Sequence, residues 1–130
     1  EGMTAGPADM EPQENQFPCG EEQFKDDTSI YRFYKDTILL RNQNPEIARG
    51  TVERLTEITD GDVAAISKTW NKTTIYMLYN LSETEEKQVE LSPEQYGYTE
   101  LAGYLSVDGL EVVLKDGVVS MPPYSVAVLR

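Results

Sequence analysis

Val63-Ala64-Ala65-Ile66-Ser67-Lys68-Thr69-Trp70, the pair Asn71-Lys72, and then, past Thr73, Thr74-Ile75-Tyr76-Met77-Leu78-Tyr79-Asn80 form the stretch that decides the fold. Both runs are rich in β-branched and aromatic residues. In the second, Ile75, Met77 and Tyr79 fall on one face and Tyr76, Leu78 and Asn80 on the other, a period of two. Asn71-Lys72 between them suits a tight hairpin turn. The same texture continues on both sides. Thr51–Ile58, Lys87–Leu91, Tyr98–Tyr104, Leu110–Leu114, Val118–Met121 and Ser125–Leu129 read as further short strands. Their breaks are marked by Asp60-Gly61, Ser92-Pro93, Asp108-Gly109, Asp116-Gly117 and Pro122-Pro123. Seven or eight short strands roughly ten residues apart predict a mainly β chain, an antiparallel β-sandwich.

Upstream of Gly50 the period changes. Ile30, Tyr34, Ile38 and Arg41 lie at helical spacing, with Phe33, Thr37 and Leu40 on an adjoining stripe. Asp27 or Thr28 suits the N-cap, Arg41 suits the negative end of the helix dipole, and Pro45 stops continuation past Asn44. One helix is expected over about residues 28–43. Its apolar residues cover more than one narrow stripe, so it should pack on two sides. Residues 1–28 are rich in Glu, Asp, Gln, Gly and Pro, and read as a long loop unable to fold alone. The organisation is therefore 1–28 loop, 29–49 helix and turn, and 50–130 sandwich.

Composition narrows the chemistry. The 130 residues carry 11 Lys plus Arg against 23 Asp plus Glu, a net charge of −12. A surface this acidic repels phosphate, so nucleic acid is not an expected partner. No run approaches the ~20 apolar residues of a membrane span, so no membrane partner is expected either. There is no histidine, which removes Ser-His and Cys-His nucleophile pairs and histidine zinc sites. The single cysteine, Cys19, allows no internal disulfide and reads as an ordinary thiol. No basic-then-apolar signal segment opens the sequence, and localisation stays open between a bacterial cytoplasm and secretion.

Carboxylates, amides, hydroxyls and tyrosines remain. The adjacent pairs Glu21/Glu22, Asp26/Asp27 and Glu85/Glu86 point apart on a helix or strand, which is not the facing geometry that glycoside hydrolysis requires. Asp9, Glu11 and Glu14, near Asn15, lack the central glycine and terminal bidentate Glu of a calcium loop, so no metal is assigned. Sugars stack on exposed aromatic faces, which makes Trp70 at the lip of the hairpin, and Tyr96 with Tyr98, the candidate sugar contacts. Asn71-Lys72-Thr73 and Asn80-Leu81-Ser82 fit the glycosylation acceptor pattern.

The segment from Ser29 to Gly50 resembles the last barrel helix and following turn of alpha-amylase-type enzymes, glycoside hydrolase family 13. Phe33-Tyr34, Leu40-Arg41, Asn44-Pro45 and Gly50 match that family's pattern. Glu1-Gly2-Met3 resembles the tail of the Glu-Ile-Gly-Met stretch after the eighth barrel strand, with one residue missing or altered. Asp62–Ile66, Thr74–Asn80 with Ser82, and Met121-Pro122-Pro123-Tyr124 leading into Ser125–Leu129 are similar to strands of the family's Greek-key C-terminal domain. The resemblance implies a C-terminal part of such an enzyme, running from the loop after the eighth strand through the sandwich. It also implies that the catalytic carboxylates and substrate-binding histidines lie upstream, so no catalytic residue is carried onto this chain and no cofactor is implied. The implied partner is the (β/α)8 barrel of the same enzyme, with alpha-glucan a further candidate. Without that barrel, the helix face containing Ile30, Phe33, Tyr34 and Ile38 is expected to self-associate.

Overall fold

The computed structural model describes residues 19–130. Strands β2 (Val63–Trp70) and β3 (Thr73–Asn80) form the expected hairpin, with Ala65 opposite Leu78 and Ile66 opposite Met77. Asn71 and Lys72 take positive φ of 49° and 67°, the double left-handed turn that matches strand twist. β1 (Thr51–Arg54) pairs with β2 on one side, and β8 (Ser125–Leu129) pairs with β3 on the other, followed by β5 (Leu101–Ser106). The second sheet has the order β4 (Lys87–Glu90), β7 (Val118–Met121), β6 (Val113–Lys115). All pairings are antiparallel, and the two sheets make a sandwich.

Alternation within the strands divides the apolar residues between two cores. Ala65, Leu78, Ala127 and Leu129 face Val89, Val119 and Met121 of the smaller sheet. Ile75, Met77 and Val128 lie on the opposite face of the larger sheet. That outer face is covered by α2 (Ile30–Gln43) and α3 (Glu46–Arg49), through Leu40 and Ile47.

The helix begins later than expected, with Ser29 as N-cap rather than Asp27 or Thr28. The Asp26 carboxylate accepts hydrogen bonds from the Thr28 N–H and hydroxyl at 2.8 and 2.7 Å, which tightens a turn there. Ser29 Oγ then accepts from the Arg32 N–H at 3.2 Å. At the other end, the backbone N–H and side-chain amide of Asn44 both donate to the Leu40 carbonyl, at 3.1 and 2.9 Å. Pro45 follows and opens the separate turn of α3. Within residues read as loop, Gly20–Lys25 is a short helix, α1, held against α2 by Phe24 and Tyr31 edge to face at 4.4 Å. Six polar-rich residues show no periodicity, and a tertiary aromatic contact supplies what propensity does not. The Glu1-Gly2-Met3 match and Asp9, Glu11, Glu14 and Asn15 lie outside the described residues.

Strand ends also moved. The strand expected to reach Ile58 stops at Arg54, because the N–H groups of Ile58 and Thr59 turn back to the Leu55 carbonyl. Ser92-Pro93, read as a break, caps a helical turn, α4 (Pro93–Tyr96), which ends at Gly97 with φ +74°. Strand β5 therefore starts at Leu101, not Tyr98, and Thr99 and Glu100 instead donate to the Arg130 carbonyl. The strand expected over Leu110–Leu114 is shorter and shifted, at Val113–Lys115, where Asp116-Gly117 closes a turn with φ of 50° and 79°.

Candidate functional site

Helix α2 touches the sandwich narrowly. Leu40 is its one buried residue, at 7 % exposure. Ile30, Tyr34 and Ile38 stand 67 %, 64 % and 54 % exposed. At spacing i, i+4, i+8 they form one stripe, and Arg41 is next in line. The expectation of a helix with two apolar sides thus meets a helix covered on one side only. Phe33 divides from the other three. It lies seven residues before Leu40, turned toward the docked flank, and lines a cavity of about 450 Å³ between α2 and β5.

Two contacts fix how α2 sits. Gly103 in β5 passes so close that a Cβ there would lie 2.4 Å from Leu40 Cδ1. Below the helix, Arg130 Nη2 donates to Asn44 Oδ1 at 3.0 Å and pairs with Glu46 Oε2 at 2.9 Å. Asn44 and Glu46 are buried, at 2 % and 3 % exposure. The end of β8 is thereby tied to the turn between α2 and α3. Sequence reasoning missed this pair. Its signal, an acid just after Asn-Pro and a terminal arginine, becomes meaningful only when an 84-residue separation is closed.

The sugar-contact candidates do not converge. Trp70 ends β2 on the outer face of the larger sheet, half-buried, with the Arg49 guanidinium 5.0 Å from its ring centroid. Tyr96 and Tyr98 border the inter-sheet core, on the other side. Tyr96 packs edge to face on Tyr76 at 5.3 Å and donates to Glu57 Oε1 at 2.8 Å. Tyr98 is 4 % exposed and donates to the Leu91 carbonyl at 2.6 Å. A paired Tyr96/Tyr98 platform therefore does not form: Tyr98 is a core residue with a satisfied hydroxyl. Gly97 in its left-handed conformation turns the chain between them.

The carboxylate pairs serve local structure. Glu22 accepts from the Cys19 N–H at 2.9 Å, and Asp27 pairs with Arg32 at 3.1 Å. Hydrogen bonds from Thr28 hold the Asp26 carboxyl below its ordinary range, and Lys87 does the same for Glu85. Such shifts favour the charged form, the opposite of the raised value a general acid needs. Among the described residues, no group of three or more His, Cys, Asp or Glu is placed to hold a metal ion. Cys19 is exposed. Of the two glycosylation patterns, Asn71 is exposed on its turn, whereas Asn80 is 1 % exposed. Asn80 Nδ2 faces the carbonyls of Glu85, Met121 and Pro122 at 2.8 to 3.0 Å, and its Oδ1 accepts from the Ser82 N–H.

The geometry defines a two-sheet domain whose helix α2 keeps an uncovered apolar face. Solved structures share this fold. Over 98 % of its length the chain is similar to Eubacterium rectale Amy13B, at 32 % identity and a TM-score of 0.84, and spans 25 % of that protein. It is also similar to the trehalulose synthase MutB from Pseudomonas mesoacidophila MX-45, at 17 % identity and a TM-score of 0.64 over 84 % of this chain and 19 % of that one. The isomaltulose synthase PalI from Klebsiella sp. LX3 gives 19 % identity and a TM-score of 0.65 over the same 84 % and 19 % shares. The last two likenesses concern the fold alone. The chain thus spans a quarter or less of these three structures, and it resembles the C-terminal part of a family 13, alpha-amylase-type glycoside hydrolase. No family model matches it, and no curated protein does.

Proposed function

We propose that this chain is the non-catalytic C-terminal portion of an alpha-glucan-acting glycoside hydrolase, of the alpha-amylase or alpha-glucosidase type. Its task is to cover and stabilise one side of a (β/α)8 catalytic barrel. One observation carries the reading: α2 is docked at Leu40 and leaves Ile30, Tyr34 and Ile38 open, in a chain similar to only a quarter of a larger protein. Exposed apolar residues in line on one helix mark a surface made for a partner. In the intact enzyme the chemistry is the family's retaining displacement by two carboxylates, which this reading places on the barrel. The purified 130-residue chain should hydrolyse neither starch nor maltooligosaccharides; measurable cleavage would sink the proposal.

A small sugar-binding module is the second reading. Its support is Trp70, partly exposed at the hairpin end with the Arg49 guanidinium 5.0 Å from its ring centroid. Retention on a starch column that Trp70→Ala abolishes would establish it. No retention, or retention that Trp70→Ala leaves unchanged, removes Trp70 from consideration.

A further inference from the structure

Helix α2 differs in charge from the rest of the molecule. It carries three cations, Arg32, Lys35 and Arg41, against the single carboxylate Asp36, within a chain of net charge −12. Arg32 is spent on Asp27. Arg41 has no ion-pair partner among the described residues. It continues the Ile30, Tyr34, Ile38 stripe at i+11, i+7 and i+3, so whatever covers the stripe also covers Arg41. A guanidinium under an apolar surface must be paired, because desolvating it alone is prohibitive. A second copy of this chain is a poor cover: it would join two bodies of charge −12.

We infer that the surface covering α2 is an apolar face of the catalytic barrel that presents a carboxylate to Arg41. The inference rests on the functional reading above and adds to it the charge that the partner must carry. The pairing predicts a sign. If a carboxylate waits opposite, Arg41→Met leaves it buried and unpaired, and the intact enzyme loses stability. If none does, Arg41→Met removes a poorly solvated cation from an apolar interface, and the intact enzyme keeps or gains stability.

The test compares thermal unfolding midpoints of the intact enzyme that carries this chain with those of the 130-residue chain alone. Variants are Arg41→Met, Arg41→Lys as the conservative rescue, and Ile38→Asp as the stripe control. Expected is a fall of several degrees in the intact enzyme for Arg41→Met and Ile38→Asp, a smaller fall for Arg41→Lys, and near-constant midpoints in the isolated chain. A fall for Ile38→Asp with none for Arg41→Met overturns the carboxylate and leaves the barrel contact standing. No fall for either overturns both readings. Equal falls in the isolated chain place the role of Arg41 inside this domain and overturn the inference. Sedimentation of the intact enzyme as a stable dimer, dissociated by Ile38→Asp, makes a second copy the occupant and overturns it as well.

Discussion

Placing a methyl group on Gly103 should be costly while Leu40 is present and harmless once Leu40 is gone. The two residues meet where α2 crosses β5, and the added Cβ would stand 2.4 Å from Leu40 Cδ1. Carbon atoms prefer about 3.5–4.0 Å, so one of the two must move by about an ångström. Overpacking of this kind costs ~1–3 kcal/mol. Replacing glycine also narrows the unfolded ensemble, which returns ~0.4–1 kcal/mol. Gly103→Ala alone should therefore destabilise by roughly 0.5–2 kcal/mol. Leu40→Ala should cost about 2–3 kcal/mol, the low end for a buried leucine, because the side already opens on a cavity and little new void is created. In the double variant the clash is absent, so Gly103→Ala should be neutral or slightly stabilising. The coupling between the sites is then about 1–3 kcal/mol, well above the ~0.3–0.5 kcal/mol scatter of independent sites. Urea unfolding of the four chains measures it, with amide exchange at Asn42 and Gln43 recording whether α2 lifts off before the sandwich melts. Equal costs of Gly103→Ala in both backgrounds would refute the account of how α2 docks.

Other contacts give independent tests. Arg130→Ala strands the Glu46 carboxylate, whose side chain is 4 % exposed, and should cost about 2–4 kcal/mol in urea unfolding, with Glu46→Gln milder because its amide stays neutral. Asn80→Asp replaces the donor that faces three carbonyls by an acceptor, and should destabilise by about 3 kcal/mol or more; a variant as stable as the parent contradicts the assigned bonds. Expressed through a eukaryotic secretory pathway, the chain should carry glycan at Asn71 and not at Asn80, which mass spectrometry of tryptic peptides reads directly. Burial, with a smaller contribution from Glu94, holds the Tyr98 phenol above its ordinary range, as burial does for Tyr76 and Tyr79. A raised value stabilises fully below the unfolded tyrosine value near pH ~10 and is lost as pH climbs through the folded one. Circular dichroism should show stability falling above pH ~10, less steeply for Tyr98→Phe, and parallel curves for the two chains would count against it.

What the sequence revealed and what it hid divide by range of interaction. The β2–β3 hairpin was legible because period, β-branched content and a two-residue turn are all local and agree. The stop of α2 at Asn44-Pro45 was legible for the same reason. Its start was not: Asp26, Asp27, Thr28 and Ser29 are all competent caps, and the choice of Ser29 follows from how Asp26 bonds to Thr28. In sequence, Tyr98 beside Tyr96 reads as a sugar platform because aromatic side chains look alike whether they stack on a ligand or fill a core. Its burial is decided by α4 and Gly97, and the helical turn was masked by a Ser-Pro pair that also opens loops. Gly103 carried a faint signal, since a glycine inside a strand pattern often marks close backbone approach, but only the structure names Leu40 as what approaches.

The distribution of buried residues between the two cores bears on which parts can stand without a partner. The inter-sheet core holds Leu78, Val119, Met121 and Leu129 at 0 % exposure, fed by strands from both sheets. The outer core is smaller, and Leu40 is the one side chain of α2 buried in it, beside Ile47 of α3. The sandwich is therefore the stable unit and α2 the weakly held one. Fourteen residues of helix whose one buried side chain, Leu40, lies near the C-terminal end are at the margin of what isolated helices sustain in water. The Arg130–Glu46–Asn44 tie acts below Leu40, at the turn, and does nothing for the first three turns. Residues 30 to 39 should accordingly exchange their amide protons far faster than Ile75 to Leu78 when this chain is alone, and slow by orders of magnitude when a barrel covers them. Uniform slow exchange along all of α2 in the isolated chain would show that the helix needs no cover, and with it the main support for an attached barrel would go.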